Sequence, residues 1–181
     1  MRGAEAVLRK GVFLGKNVVI KERKPKRYRV KALDEMLRIQ RTRQEARLLH
    51  KAKKTGVPAP VVLAVDMFSI TMTYIMGSRP RAAAYYRTAG KYLAQLHAAD
   101  IIHGDYTPAN LLVNKGRLTV IDFGLGFFST DVEDKAIDVL TMLKSIGENE
   151  GKLFLQGYRT YKGYQQAMQR MEQVKGRVRY A

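Results

Sequence analysis

Residues 101–124 read IIHGDYTPANLLVNKGRLTVIDFG. Short apolar runs alternate here with isolated polar side chains. Leu111 to Val113 and Leu118 to Ile121 read as two short strands, with Asn114-Lys115-Gly116-Arg117 as the turn between them. The polar residues His103, Asp105, Asn110 and Asp122 fall at the ends of these strands. A hairpin of this kind can hold several polar side chains in one place over an apolar base.

Working outward, Ala82 to Ala99 reads as a helix before the hairpin, with Tyr85, Ala89, Tyr92, Leu93 and Leu96 at core spacing. Val132 to Ile146 reads as a helix after it, and residues 151–174 hold one or two more. Toward the N-terminus, residues 4–8 and 11–21 read as strands, and Lys31 to Lys54 as a long helix. Leu33, Leu37, Ala46 and Leu49 fall on an apolar stripe of that helix, and Thr55-Gly56-Val57-Pro58 closes it. Val61 to Val65 and Phe68 to Ile75 read as two more strands. The expected fold is therefore α+β and bilobal: a sheet with one helix over 1–76, a small helical lobe over 77–174, and a basic tail over 175–181.

Composition limits the function classes. Hydrophobic residues make up 46% of the 181, enough for a core, and there is no cysteine, which excludes disulfides and cysteine-ligated metals. No run approaches the ~18 apolar residues of a membrane span, and no signal-like segment opens the chain. The expectation is a soluble, cytoplasmic protein with no membrane contact. The net charge of +17 is uneven. Residues 1–60 carry 18 Lys/Arg against 5 Asp/Glu (+13), residues 61–150 carry 8 against 10 (−2), and residues 151–181 carry 7 against 1 (+6). Basic ends around a neutral centre point to a polyanionic partner.

Asp105 and Asn110 are five apart, Asp122 follows twelve later, and Phe123-Gly124 comes directly after it. In this order and spacing the set resembles the catalytic loop and D-F-G element of the protein-kinase-like fold. Phosphoryl transfer develops charge on phosphate oxygens, which magnesium neutralises, and magnesium prefers oxygen ligands such as those of Asn110 and Asp122. Asp105 would orient the attacking hydroxyl or water and accept its proton. Val18-Val19-Ile20-Lys21 resembles the strand whose lysine contacts the α/β-phosphates, and Glu45, 24 residues on, would pair with it. Met72-Thr73-Tyr74-Ile75 falls where the kinase hinge lies, so backbone groups of Thr73 and Ile75 would hydrogen-bond adenine.

The chain departs from a conventional protein kinase. It has no G-x-G-x-x-G near its start and no A-P-E after Gly124, Thr107 stands where Ser/Thr kinases usually place lysine, and 57 residues follow Gly124. Lys21-Glu22-Arg23, Tyr28-Arg29 with Leu33-Asp34, Arg41 to Ala46, His103 to Thr107 and Glu133 to Asp138 together resemble the small atypical kinase/ATPase subunit of the KEOPS complex, archaeal type. The resemblance implies an ATP- and magnesium-dependent kinase/ATPase supporting threonylcarbamoyladenosine modification of tRNA. It implies work beside the threonylcarbamoyl-transferase subunit and a small dimerising subunit. It also implies tRNA contact through the tail, at Lys175, Arg177 and Arg179. Asp138 would brace the catalytic loop or be an exposed helical carboxylate. His103 would pack and hold the loop. Glu5 would reach the nucleotide or be a plain turn residue. Competing readings are a Ser/Thr protein kinase, a small-molecule or lipid-sugar kinase, and a non-enzymatic scaffold.

Overall fold

A computed structural model describes residues 6–178, with side chains described through residue 176. Four antiparallel strands form the first lobe's sheet: β1 (Ala6–Phe13), β2 (Lys16–Arg23), β3 (Val62–Val65) and β4 (Ser69–Thr73), in the order β1-β2-β4-β3. The first hairpin turns at Leu14-Gly15, both with positive φ, and pairs Phe13 with Lys16. The break expected near residues 9–10 is therefore continuous strand. Arg9 and Lys10 owe their polarity to a solvent-facing edge and not to a turn.

Helix α1 (Lys31–Lys54) has the expected bounds, with Lys51, Lys53 and Lys54 at its carbonyl end, where they complement the dipole. Its inward face is not the expected apolar stripe. Leu33 is 46% exposed, while Asp34, Thr42, Glu45, Leu48, Leu49 and Ala52 are buried. Leu49 of that stripe is buried, but half of the buried face is polar: Glu45 meets the cleft, Asp34 the connection from β2, and Thr42 the Arg38 carbonyl of its own helix.

The chain crosses to the second lobe after β4. Ser78 exchanges backbone hydrogen bonds with Val113 at 3.1 and 2.8 Å, which docks the crossing onto the central hairpin. That hairpin is β6 (Leu111–Asn114) with β7 (Arg117–Val120), closed by Lys115-Gly116 at φ 47° and 76°. Positive φ at both central residues is the two-residue turn that matches strand twist. A 3-10 turn (Pro108–Asn110) precedes β6, and a two-residue ladder joins β5 (Ile101–Ile102) to β8 (Phe127–Phe128). The Val120 amide donates to the Pro58 carbonyl at 2.8 Å, so the end of α1 and the hairpin are stitched together across the lobes.

Helices α2 (Ala84–Ala98), α3 (Val132–Leu143), α4 (Glu148–Tyr158) and α5 (Tyr164–Val178) complete the second lobe. Asp131 caps α3 by accepting from the Glu133 amide at 2.8 Å. Arg170 of α5 pairs with Glu133 of α3. Lys175 to Val178 continue α5, so the basic stretch expected as a separate tail begins inside a helix. Among the described residues, no helix is long and apolar enough to cross a membrane.

Helices α2 and α4 approach unusually closely through two glycines. A Cβ at Gly157 would overlap the Arg87 carbonyl oxygen, and one at Gly90 would overlap the Phe154 carbonyl oxygen. No rotamer change relieves a clash with backbone. Gly157→Ala is therefore expected to lower unfolding free energy by more than about 2 kcal/mol. Gly151→Ala on the same helix meets only a leucine methyl at 3.4 Å and should be neutral or stabilising by up to about 1 kcal/mol. Urea denaturation of both variants checks the contrast.

Candidate active site

Lys21 and Arg23 are two apart on β2, so both side chains leave the same face of the sheet. Both reach Glu45 on α1. Lys21 Nζ donates to Glu45 Oε1 at 2.7 Å and Arg23 Nη2 donates to Oε2 at 2.6 Å, all three residues being buried. Lys21 also donates to Asp122 Oδ1 at 2.6 Å. Burial alone would lower the Lys21 pKa, but the carboxylates of Glu45 and Asp122 outweigh it and hold the ammonium above its ordinary value. Burial opposes the charge of Asp122 as well, and Lys21 overrides it, holding that carboxyl below the usual range.

Asp122 sits at φ 60°, in the left-handed region, and accepts from the Gly124 amide at 3.1 Å. Its side chain is 50% exposed, whereas Glu45 is sealed. The two carboxylates on Lys21 thus differ in role: one anchors, the other faces the cleft.

Asp105 lies between β5 and the 3-10 turn. Asn110 Nδ2 donates to its backbone carbonyl and to its Oδ2, each at 2.8 Å. With its nitrogen turned to Asp105, Asn110 has its amide oxygen to offer a cation. The His103 ring spans the two loops. Its Nδ1 accepts from the Asp105 amide at 3.3 Å, which puts the ring proton on Nε2, and Nε2 lies 3.1 Å from the Ile121 carbonyl as donor. His103 is fully buried against Phe123 and Tyr106, and burial pushes its pKa down, so the ring is neutral.

Asp138 is not the exposed helical carboxylate that was one of two expectations. It is buried on α3 and accepts from the backbone amides of His103 at 2.6 Å and Gly104 at 2.8 Å. Gly104 adopts φ 79° with its Cα against the Leu125 carbonyl, where a Cβ would overlap, so a larger residue does not fit between His103 and Asp105. His97 of α2 stands 3.4 Å from Asp138 Oδ2 through Nε2 and 2.7 Å from the Tyr158 hydroxyl through Nδ1.

Thr73 and Ile75 lie at the lobe crossing, lining a cavity of about 290 Å³ with Pro58, Asn114, Arg117 and Thr119. The Thr73 amide donates to the Val61 carbonyl at 2.9 Å, and the Val61 amide donates to the Thr73 hydroxyl at 3.0 Å. The Thr73 amide is thus taken up within the protein and is not available to adenine. Neither residue shares that cavity with Lys21, Asp105 or Asp122. Lys175 sits on α5 and donates to Glu172 at 2.8 Å. Glu5, Arg179 and the Arg177 side chain lie outside the described residues.

The sequence alone gives no site role to Arg23, Gln44 or His97. Strand alternation from Lys21 pointed to Arg23, and a histidine on the apolar face of α2 pointed to His97. Gln44 Nε2 donates to the Gly126 carbonyl at 2.6 Å, a contact across 82 positions that carries no local signal.

A buried lysine paired to a helix carboxylate, with Asp105, Asn110 and Asp122 on two loops beneath, on a sheet-plus-helical bilobal frame, is the arrangement of a protein-kinase-like phosphotransferase. Residues 100–174 match the phosphotransferase enzyme family. The Rio2 kinase of Chaetomium thermophilum, in its ADP/Mg²⁺-phosphoaspartate complex, shares the fold at TM-score 0.68 and 16% identity, over 100% of this chain and 70% of that one. A probable serine/threonine-protein kinase BUD32 homolog from Archaeoglobus fulgidus is 40% identical over 173 residues, 91% of this chain and 89% of the relative. The chain belongs to the BUD32 family. A probable bifunctional tRNA threonylcarbamoyladenosine biosynthesis protein from Methanococcus maripaludis is 37% identical over 194 residues, covering 99% of this chain. This chain spans only 35% of that bifunctional relative.

The donor set fits magnesium. Asn110 and Asp122 offer hard oxygen donors, and magnesium is commonly held by one or two protein ligands together with phosphate oxygens and water. Among the described residues, no group of three His, Asp or Glu side chains forms a metal cage of its own.

The buried histidines set a pH dependence. Burial lowers the pKa of both His97 and His103 in the folded state, so below about 6.5 the unfolded chain binds protons that the folded chain refuses. Stability is full above that pH and falls as pH drops toward the folded values, by up to about 1.4 kcal/mol per pH unit for each histidine. Urea unfolding at pH 7.5, 6.5 and 5.5 should show this loss, and His97→Gln should reduce the slope. A flat profile over this range would contradict it.

Proposed function

We propose that this chain transfers the γ-phosphoryl group of ATP, with magnesium bound, as the kinase/ATPase subunit of the KEOPS complex during threonylcarbamoyladenosine modification of tRNA in the cytoplasm. The observation that carries the reading is the three-way contact of Lys21 with Glu45 and Asp122, above a loop that holds Asp105 to Asn110. An ammonium has three donors, so two can serve Glu45 and Asp122 and one a phosphate oxygen. Glu45 and Arg23 fix where that ammonium stands. Asn110 and Asp122 would hold the magnesium ion, which supplies charge neutralisation at phosphate oxygens when bound. Asp105 takes the proton from the attacking oxygen as the bond from that oxygen to the γ-phosphorus forms and the bond to the bridging oxygen breaks. The products are ADP and either inorganic phosphate or a phosphoester. His103 and Asp138 position the loop by gripping its backbone.

The names of the bifunctional relatives support the tRNA context. The tRNA-modification context of those names is the support for a threonylcarbamoyl-transferase subunit and a small dimerising subunit as the partners of this chain. The basic residues Lys175, Arg177 and Arg179 near the end of the sequence would contact tRNA phosphates. The name of the Archaeoglobus relative favours one second reading, in which the acceptor is a protein hydroxyl rather than water.

Asp105→Ala should lower magnesium-dependent ATP turnover by about 10²- to 10⁴-fold with the fold intact. Steady-state turnover with radiolabelled ATP, with and without tRNA and the transferase subunit, checks this. Inorganic phosphate as product supports the ATPase, while labelled partner protein supports the kinase. Equal turnover in the variant would exclude Asp105 from the chemistry.

A further inference from the structure

The connection from β2 to α1 takes no part in the cleft, yet it is built to a definite shape. Five of the eight residues from Lys24 to Lys31 are Lys or Arg and none is acidic. Glu22 on the neighbouring strand pairs with Lys24 at 2.9 Å, and Asp34 is buried beneath the turn in the first turn of α1. It accepts from the Lys26 backbone amide at 3.1 Å and from Arg38 Nε at 2.7 Å, and lies 3.7 Å from Arg29 Nη1. The Arg29 amide donates to the Lys26 carbonyl at 3.1 Å, closing the turn. Arg38 is itself clamped 3.8 Å over the Phe68 ring. Asp34 therefore acts from inside on the Lys26 backbone, Arg29 and Arg38, and Glu22 takes Lys24, which leaves Arg27 and Lys31 as the exposed cations of the turn.

Tyr28 stands at the tip of this turn and is 78% exposed. The Arg29 guanidinium lies 5.3 Å from its ring centroid, which steadies the ring from one side. Arg27 and Lys31 flank it and are exposed. A steadied aromatic face among cations is the surface on which unpaired bases stack while phosphates are neutralised alongside.

We propose that the β2–α1 turn is an RNA-contact site, in which Tyr28 stacks on an unpaired base while Arg27 and Lys31 contact the neighbouring phosphates. The proposal rests on the tRNA reading above and places a second contact away from the α5 end. Binding of the full chain to bulk tRNA, a single-stranded RNA oligonucleotide and an RNA duplex, followed by fluorescence anisotropy, tests it. Tyr28→Ala should weaken binding to tRNA and to the single strand by about 5- to 30-fold and spare the duplex, while Tyr28→Phe should bind like the unaltered chain. Arg27→Gln and Lys31→Gln should weaken all three RNAs and flatten the salt dependence. Unchanged urea midpoints and ATP turnover in these variants would show that the fold is intact. Unchanged binding by Tyr28→Ala, or equal weakening on duplex and single strand, would overturn the stacking site. If only the triple change Lys175→Gln, Arg177→Gln and Arg179→Gln abolishes binding, this proposal falls and the tRNA reading stands. If the unaltered chain binds no RNA, both fall.

Discussion

Glu45 is a carboxylate sealed from water, and a buried charge must be paired or neutralised. It takes one cation on each oxygen, Lys21 and Arg23, both from β2. That arrangement ties α1 to the sheet and fixes where the Lys21 ammonium stands. Lys21 then extends the same charge chain to Asp122 in the other lobe. Losing one member of such a group leaves an uncompensated buried charge, typically at a cost of about 3–5 kcal/mol. The cleft is therefore specified by α1, β2 and the loop at 122–124 acting together.

A second carboxylate organises the lower half by a different means. Asp138 receives backbone amides, and so fixes the path of the chain through His103 and Gly104 rather than a side-chain charge. His103 passes that order on, since its two ring nitrogens meet the Asp105 amide and the Ile121 carbonyl. Asp122 follows directly in a left-handed conformation that costs a non-glycine residue on the order of 1 kcal/mol. Its bonds from Lys21 and from the Gly124 amide hold it there. The two loops that carry Asp105 and Asp122 are thus set by one ring between them.

Much of this was legible before any coordinates. The bounds of α1, the hairpin around Lys115-Gly116, the bilobal order and the spacing from Asp105 to Asp122 all follow from periodicity, turn chemistry and motif. What failed did so for physical reasons. The first turn lies at Leu14-Gly15 rather than near residues 9–10, because Leu14 carries positive φ, a conformation its side chain does not advertise. The apolar stripe of α1 misses Asp34 and Thr42, which are buried because Asp34 meets the Lys26 amide and Arg38 and Thr42 bonds back to the Arg38 carbonyl of its own helix. The β5–β8 ladder is two residues long and too short to show periodicity. Asp138 could be read two ways because amphipathic pattern does not tell a buried acceptor from a solvated acid.

Nucleotide binding by titration calorimetry tests the central claim most directly. The titration would compare ATP in magnesium and in EDTA, for the unaltered chain, Lys21→Met and Asp122→Asn. The account predicts magnesium-dependent binding by the unaltered chain. Lys21→Met should weaken it under both conditions, and Asp122→Asn should weaken it mainly when magnesium is present. Equal affinity in all three proteins, with and without magnesium, would contradict the assignment of this cleft as the phosphotransfer site.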